Sequence, residues 1–96
     1  MRSRSGFAER SVRFVRALAG SGGVLVSFPG RACPGVLSPS AEESACFCGS
    51  GSGSWASLAL AAGLGVRCLV WLPAGLVVPE RFGFVSLGRG WWFFAG

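Results

Sequence analysis

Apolar positions recur along this chain with more than one period. From Phe7 to Ala19 the spacing is helical. At 100° per residue Phe7, Phe14 and Leu18 line up with Ala8, Val12 and Val15 alongside, while Glu9, Arg10, Arg13 and Arg16 take the opposite side. Gly20, Gly22 and Gly23 supply a stop, so the pattern predicts a surface helix covering one side of a sheet. Val24 to Phe28 is a nearly continuous apolar run between Gly23 and Pro29, the pattern of a strand buried in a parallel sheet. Residues 29 to 44, with three prolines and the pair Glu42-Glu43, predict a long loop with one turn of helix after Ser40.

The most specific stretch is Ala45 to Pro73. Ala45 to Cys48 is expected to be a short strand, Gly49-Ser50-Gly51-Ser52-Gly53 a turn, and the alanine/leucine run after it a helix capped by Ser52 or Ser54. That helix carries Trp55, Leu58, Leu60 and Leu64, is apolar on nearly all sides and so expects cover on both faces. Gly63 and Gly65 end it, and Cys68 to Leu72 predicts a further strand. Pro73 and Pro79 frame an extended piece. Phe84 to Leu87 and Trp91 to Phe94, joined by Gly88-Arg89-Gly90, predict a C-terminal hairpin.

Composition narrows what these elements can do. With 51% hydrophobic and 14% charged residues, most of the chain is expected to fold, as a single α/β domain over residues 7–96 behind a disordered segment 1–6. The alphabet lacks Lys, Asp, His, Asn, Gln, Thr, Ile and Tyr. Such a bias fits either a skewed base composition or the translation of a partial gene. The common general bases and the usual metal-ligand sets are therefore missing, so no enzyme, metal or cofactor is expected. Of the net charge of +5, much sits in Arg2, Arg4, Arg10, Arg13 and Arg16, a cluster that suits either a solvated helix face or an anionic partner.

Cys33, Cys46, Cys48 and Cys68 show no paired C-x-x-C knuckles, which argues against a zinc site, and they suit reduced thiols. No apolar leader follows the basic start, and a cytoplasmic location is expected. The uncharged window 44–66 has the length of a membrane helix. Its glycines and serines, with Arg67 next, argue that no membrane span forms.

A glycine loop that leaves a parallel strand and opens a helix points unpaired backbone amides, and the positive end of the helix dipole, at one spot. Gly49, Ser50, Gly51, Ser52, Gly53 and Ser54 are therefore the candidate phosphate-binding residues, with Arg31 and Arg67 as candidate charge partners. Gly51 to Ala56 satisfies G-x-G-x-x-A, but no acid ends the next strand, so dinucleotide binding loses a necessary residue. The P-loop reading fails for want of any lysine.

Ser52-Gly53-Ser54-Trp55-Ala56-Ser57, the Ala/Leu helix, Gly65 and the apolar strand ending at Pro73 resemble the DNA-processing (Smf, DprA-like) proteins and the wider SLOG/LOG group of Rossmann-like nucleotide-binding domains. The likeness spans about Arg10 to Pro73. It implies a small three-layer Rossmann-like parallel sheet of which only the C-terminal half is present, and a non-catalytic site for a nucleotide or single-stranded nucleic acid. Ser57 stands where the LOG hydrolases carry their catalytic acid, so hydrolysis does not carry over. The alternative is an interaction or membrane-associated fragment, or a non-functional partial gene product, with the Gly/Ser run as a linker. In the interaction reading Trp91, Trp92, Phe93 and Phe94 meet a protein partner.

Overall fold

The computed structural model describes residues 6–47 and 53–96. The first helix, α1 (Gly6–Ser21), begins at Gly6, inside the segment expected to be disordered; residues 1–5 lie outside the described ones. The buried stripe of α1 runs through Val12 and Val15 with Leu18 half-buried, while Phe14 is 56% exposed. The stripe is narrower than the sequence suggested because α1 packs mainly on one other helix. Two residues after α1 the chain reverses, with Gly22 at φ +74 and the Gly23 amide donating to the Leu18 carbonyl at 3.1 Å.

Strand β1 (Val24–Ser27) follows. Ala45 and Cys46, expected to open the next strand, belong instead to a short helix, α2 (Glu43–Cys46). Glu43 sits in its first turn, where a carboxylate meets the positive end of the helix, and Ser40 Oγ accepts a bond from the Glu42 amide at 3.0 Å. The expected helical turn after Ser40 thus takes the place of the expected strand. Cys46 is buried on α2 rather than on a strand face, and Cys48 lies outside the described residues.

The real partner of β1 is β2 (Arg67–Trp71), parallel to it, with Val24 opposite Arg67 and Ser27 opposite Val70. The crossover between them carries α3 (Gly53–Gly63). Gly65, at φ +79, closes α3: its amide donates to Ala62 at 3.1 Å and the Val66 amide to Ala61 at 2.8 Å, the paired bonds of a glycine helix stop. After β2 the piece expected to be extended opens with a tight turn, Leu76 N–H to Pro73 C=O at 3.1 Å, made possible by Gly75 at φ +91. A 3-10 turn (Glu80–Phe82) leads into the hairpin of β3 (Val85–Gly88) and β4 (Trp91–Phe94), as expected. β4 also pairs antiparallel with β2, giving the order β1-β2-β4-β3. The sheet is therefore mixed, not parallel as expected: the C-terminal hairpin joins it through β4.

Burial alternates along the strands. Leu25, Cys68 and Val70 point into the core, where they join Val12 and Val15 of α1 and Trp55, Leu58 and Leu60 of α3. α1 and α3 pack together over this face, α3 against β1 and β2 and α1 against β1, so α3 has the cover it needed. The other face of the sheet carries Val24, Val26, Leu69, Trp71, Trp91, Phe93 and Val85, and among the described residues no helix covers it. Val26 is 49% and Val85 61% exposed, so β1 is not the doubly buried strand its sequence suggested. The described residues form two layers, where three were expected.

The long loop before α2 is held against the core. Leu37 is fully buried, and Arg81 donates from Nε to the Leu37 carbonyl at 2.7 Å and from Nη2 to the Pro34 carbonyl at 3.1 Å. The loop then crosses α3 where Ser40 N–H bonds the Ala59 carbonyl at 3.1 Å. A Cβ on Gly63 would collide with the Ser40 backbone, so glycine is required at this crossing.

Candidate functional site

Parallel pairing of β1 with β2 fixes where α3 must begin. The helix runs back across the sheet between two strands of the same direction, so its N-terminus lies at the end where both strands finish. In open α/β sheets this is the edge at which ligands bind, and a helix start there presents amides with no intrahelical acceptor. Of the six loop residues singled out by sequence, Gly53 and Ser54 open α3, half-buried and exposed respectively. Gly49, Ser50, Gly51 and Ser52 lie outside the described residues, and so does the Ser52 cap. Ser54 is inside the helix, not at its cap.

The first turn of α3 is anchored by Trp55. Its ring is fully buried, edge-on to Phe82 at 5.8 Å, and its Nε1 donates to the Arg31 carbonyl at 2.8 Å. That bond draws the chain leaving β1 up to the start of α3 and leaves Arg31 exposed beside it. Arg67 is elsewhere. It opens β2, at the end where α3 finishes, about 15 Å along the helix axis from Gly53 at 1.5 Å per residue. Its Nη2 donates to the Gly22 carbonyl at 2.6 Å, tying the start of β2 to the turn before β1. The structure therefore sets the Arg31 backbone beside Trp55 in the first turn of α3, and Arg67 at the opposite end of that helix.

The other chemistry-bearing groups serve the fold. Glu43, beside Glu42 in the loop, accepts from Arg16 Nη2 at 3.5 Å, joining α2 to α1. Among the described residues no three His, Cys, Asp or Glu side chains come together as a metal site would need. Burial pushes the Cys68 thiol up to about 12, and the thiol donates to the Val66 carbonyl at 3.2 Å. Cys33 is raised too, by its burial, with the neighbouring Arg81 guanidinium opposing the shift. Neither is a thiolate near neutral pH, as a nucleophile would have to be. Among the described residues no helix is long and apolar enough to cross a membrane.

One feature at the same edge was not singled out by sequence. A cleft of about 430 Å³ opens beyond the end of β2, lined by Trp71, Pro73, Gly75, Ser86, Arg89 and Trp92 among others. Its floor is the hairpin turn, where Gly88, Arg89 and Gly90 all have positive φ (89°, 57° and 89°). The Arg89 carbonyl accepts from Trp71 Nε1 at 3.0 Å, and Gly90 passes so close to Leu72 and Trp71 that a Cβ would not fit. The signal in the sequence was Gly-Arg-Gly opposite Pro-Ala-Gly, two tight turns that meet only once the strands pair.

The four C-terminal aromatics also divide. Trp92 and Phe94 turn inward against the core, and Phe94 stacks on Phe84 at 5.2 Å. Trp91 and Phe93 lie on the uncovered face, where Trp91 meets Phe28 edge-on at 6.1 Å. Compared with family models, curated proteins and solved structures, the chain matches none.

Proposed function

We propose that this protein binds a phosphate-bearing ligand, a nucleotide or the backbone of a single-stranded nucleic acid, at the N-terminus of α3, without catalysing a reaction. The observation that carries the reading is the parallel β1–α3–β2 crossover, which aims the start of α3 at the carboxyl edge of the strands. Gly53 at the first helical position lets a phosphate approach the backbone, and Arg31, held there through the Trp55 bond, supplies a cation. Glycine and serine at positions 49–52 extend the same chemistry.

A DprA-like or SLOG-like role in DNA processing or nucleotide sensing is the biology this reading favours. The β1–α3–β2 crossover is the unit from which a Rossmann-like fold is built, the version of the fold this reading favours. Reduced thiols at Cys33, Cys46 and Cys68 suit a cytoplasmic setting.

Titration of adenosine nucleotides and of a short oligodeoxynucleotide tests the site. Gly53→Val should weaken binding at least about tenfold, roughly 1.4 kcal/mol. Arg31→Ala should weaken it less and flatten its salt dependence, and Arg67→Ala should leave it unchanged. Equal binding by wild type and Gly53→Val would sink the proposal.

A further inference from the structure

The uncovered face of the sheet has no role in phosphate binding at α3, and its chemistry is not that of a solvated surface. Its rows run Val26, Leu69, Phe93 and Val85 across all four strands, then Trp71 and Trp91 one step along. Phe28, 62% exposed, and Leu87, 59% exposed, extend it at either side. Taken with the 150–250 Å² that an aromatic side chain can bury and about 100 Å² for a valine or leucine, the exposures of Val24, Val26, Phe28, Trp71, Val85 and Leu87 amount to roughly 400 Å² of apolar surface, to which the half-buried Leu69, Trp91 and Phe93 add. The largest patch on a typical monomer is about 300–600 Å², and each partner in a standard interface contributes about 800 Å².

We infer that this face is the contact surface of a homodimer, in which the bare sheets of two copies pack on each other. With the half-buried Leu69, Trp91 and Phe93 included, the apolar part of the face approaches what one side of a small stable interface needs. The distribution of charge favours the same occupant. The net charge is +5, yet the only charged side chain of the paired strand positions on this face is Arg67, at one end and bonded to the Gly22 carbonyl. Arg10, Arg13 and Arg16 are exposed on α1, in the layer over the opposite face, so two copies meeting sheet to sheet hold their basic helices far apart. A nucleic acid would ask for cations here and would find one. In the dimer the sheets lie about 10 Å apart with their strands crossed by about 30°, around a twofold axis. The helical layers form the outside of a four-layer particle, and the α3 N-termini stay open at the edges.

Sedimentation equilibrium of the full 96-residue chain over about 1–100 µM, at physiological salt, reads the result directly. The expected mass is twice 9.9 kDa. Val26→Glu with Val85→Glu should weaken association at least about a hundredfold while the far-ultraviolet circular dichroism stays that of wild type. Phe14→Glu, on the exposed side of α1, should leave the dimer intact. The melting temperature of the wild type gives a second reading that needs no variant: it should rise with protein concentration. A monomeric wild type whose melting temperature ignores concentration would overturn the proposal. So would a double variant that associates as tightly as wild type, or a monomer that binds phosphatidylcholine vesicles through this face.

Discussion

The two faces of the sheet are built from nearly the same residue types, and only one of them is covered. On the inner face Leu25, Cys68 and Val70 are almost wholly buried beneath α1 and α3. On the outer face Val26, Val85 and Trp71 stand 49%, 61% and 36% exposed. An antiparallel sheet with one wet side ordinarily alternates apolar and polar residues. Here the alternation is missing, so the strands have the composition of doubly covered strands in a fold that covers them once. Apolar composition states what a face wants, and topology decides whether it is met.

The two faces predict opposite responses to the same change. Trp55→Ala removes the largest fully buried side chain of the covered side and should cost about 3–5 kcal/mol in denaturant unfolding. Trp71→Ala, on the open side, should cost about 1 kcal/mol, chiefly its bond to the Arg89 carbonyl. Equal costs would erase the distinction between the faces. Gly63→Ala probes how the covered side is sealed. Its methyl group would meet the Ser40 backbone, and a loss of about 1–3 kcal/mol is expected where an ordinary exposed helix glycine would gain from alanine.

The smallest effect near neutral pH is that of the Cys68 thiol. Its thiol is raised from 9.0 to about 12 in the folded protein, so between these values the unfolded chain loses a proton that the folded chain keeps. Stability from this group is complete below pH 9.0 and declines as pH rises towards about 12. Urea midpoints followed from pH 8 upward should fall more steeply for wild type than for Cys68→Ala. Parallel curves would mean that the thiol is not sealed beneath α3.

Much of the fold was legible in the sequence where punctuation was strong. Gly65 marked the end of α3 because only a left-handed residue closes that helix stop, and Gly88-Arg89-Gly90 marked the hairpin because flanking apolar runs had to pair. Ala45 and Cys46 were misread as the start of a strand because a short apolar run fits a strand or a helix equally. The deciding signal was the glutamate at the helix start, together with the buried Cys46 thiol that bonds the Ser40 carbonyl at 3.4 Å. The candidate loop was legible as chemistry only in part. The Arg31 backbone meets the first turn of α3 through the indole of Trp55, a contact between residues 24 apart, whereas Arg67, much nearer in chain to that helix, is carried to its far end. Which face of each strand is bare was not legible at all, because both faces are apolar.

The sheet ends at β1 and β3, and how it ends has a consequence for assembly. Outer strands offer unpaired amides and carbonyls on which further strands can grow into fibres. Buried Pro29 follows one residue after Phe28, cutting β1 to four residues, and the shift in register between Ser86 and Gly88 bends β3 away from a straight ladder. Lateral growth is blunted on both sides. An apolar face with spoiled margins favours pairing face to face over growth strand by strand, so the dimer inferred above closes on itself in place of extending as a ribbon.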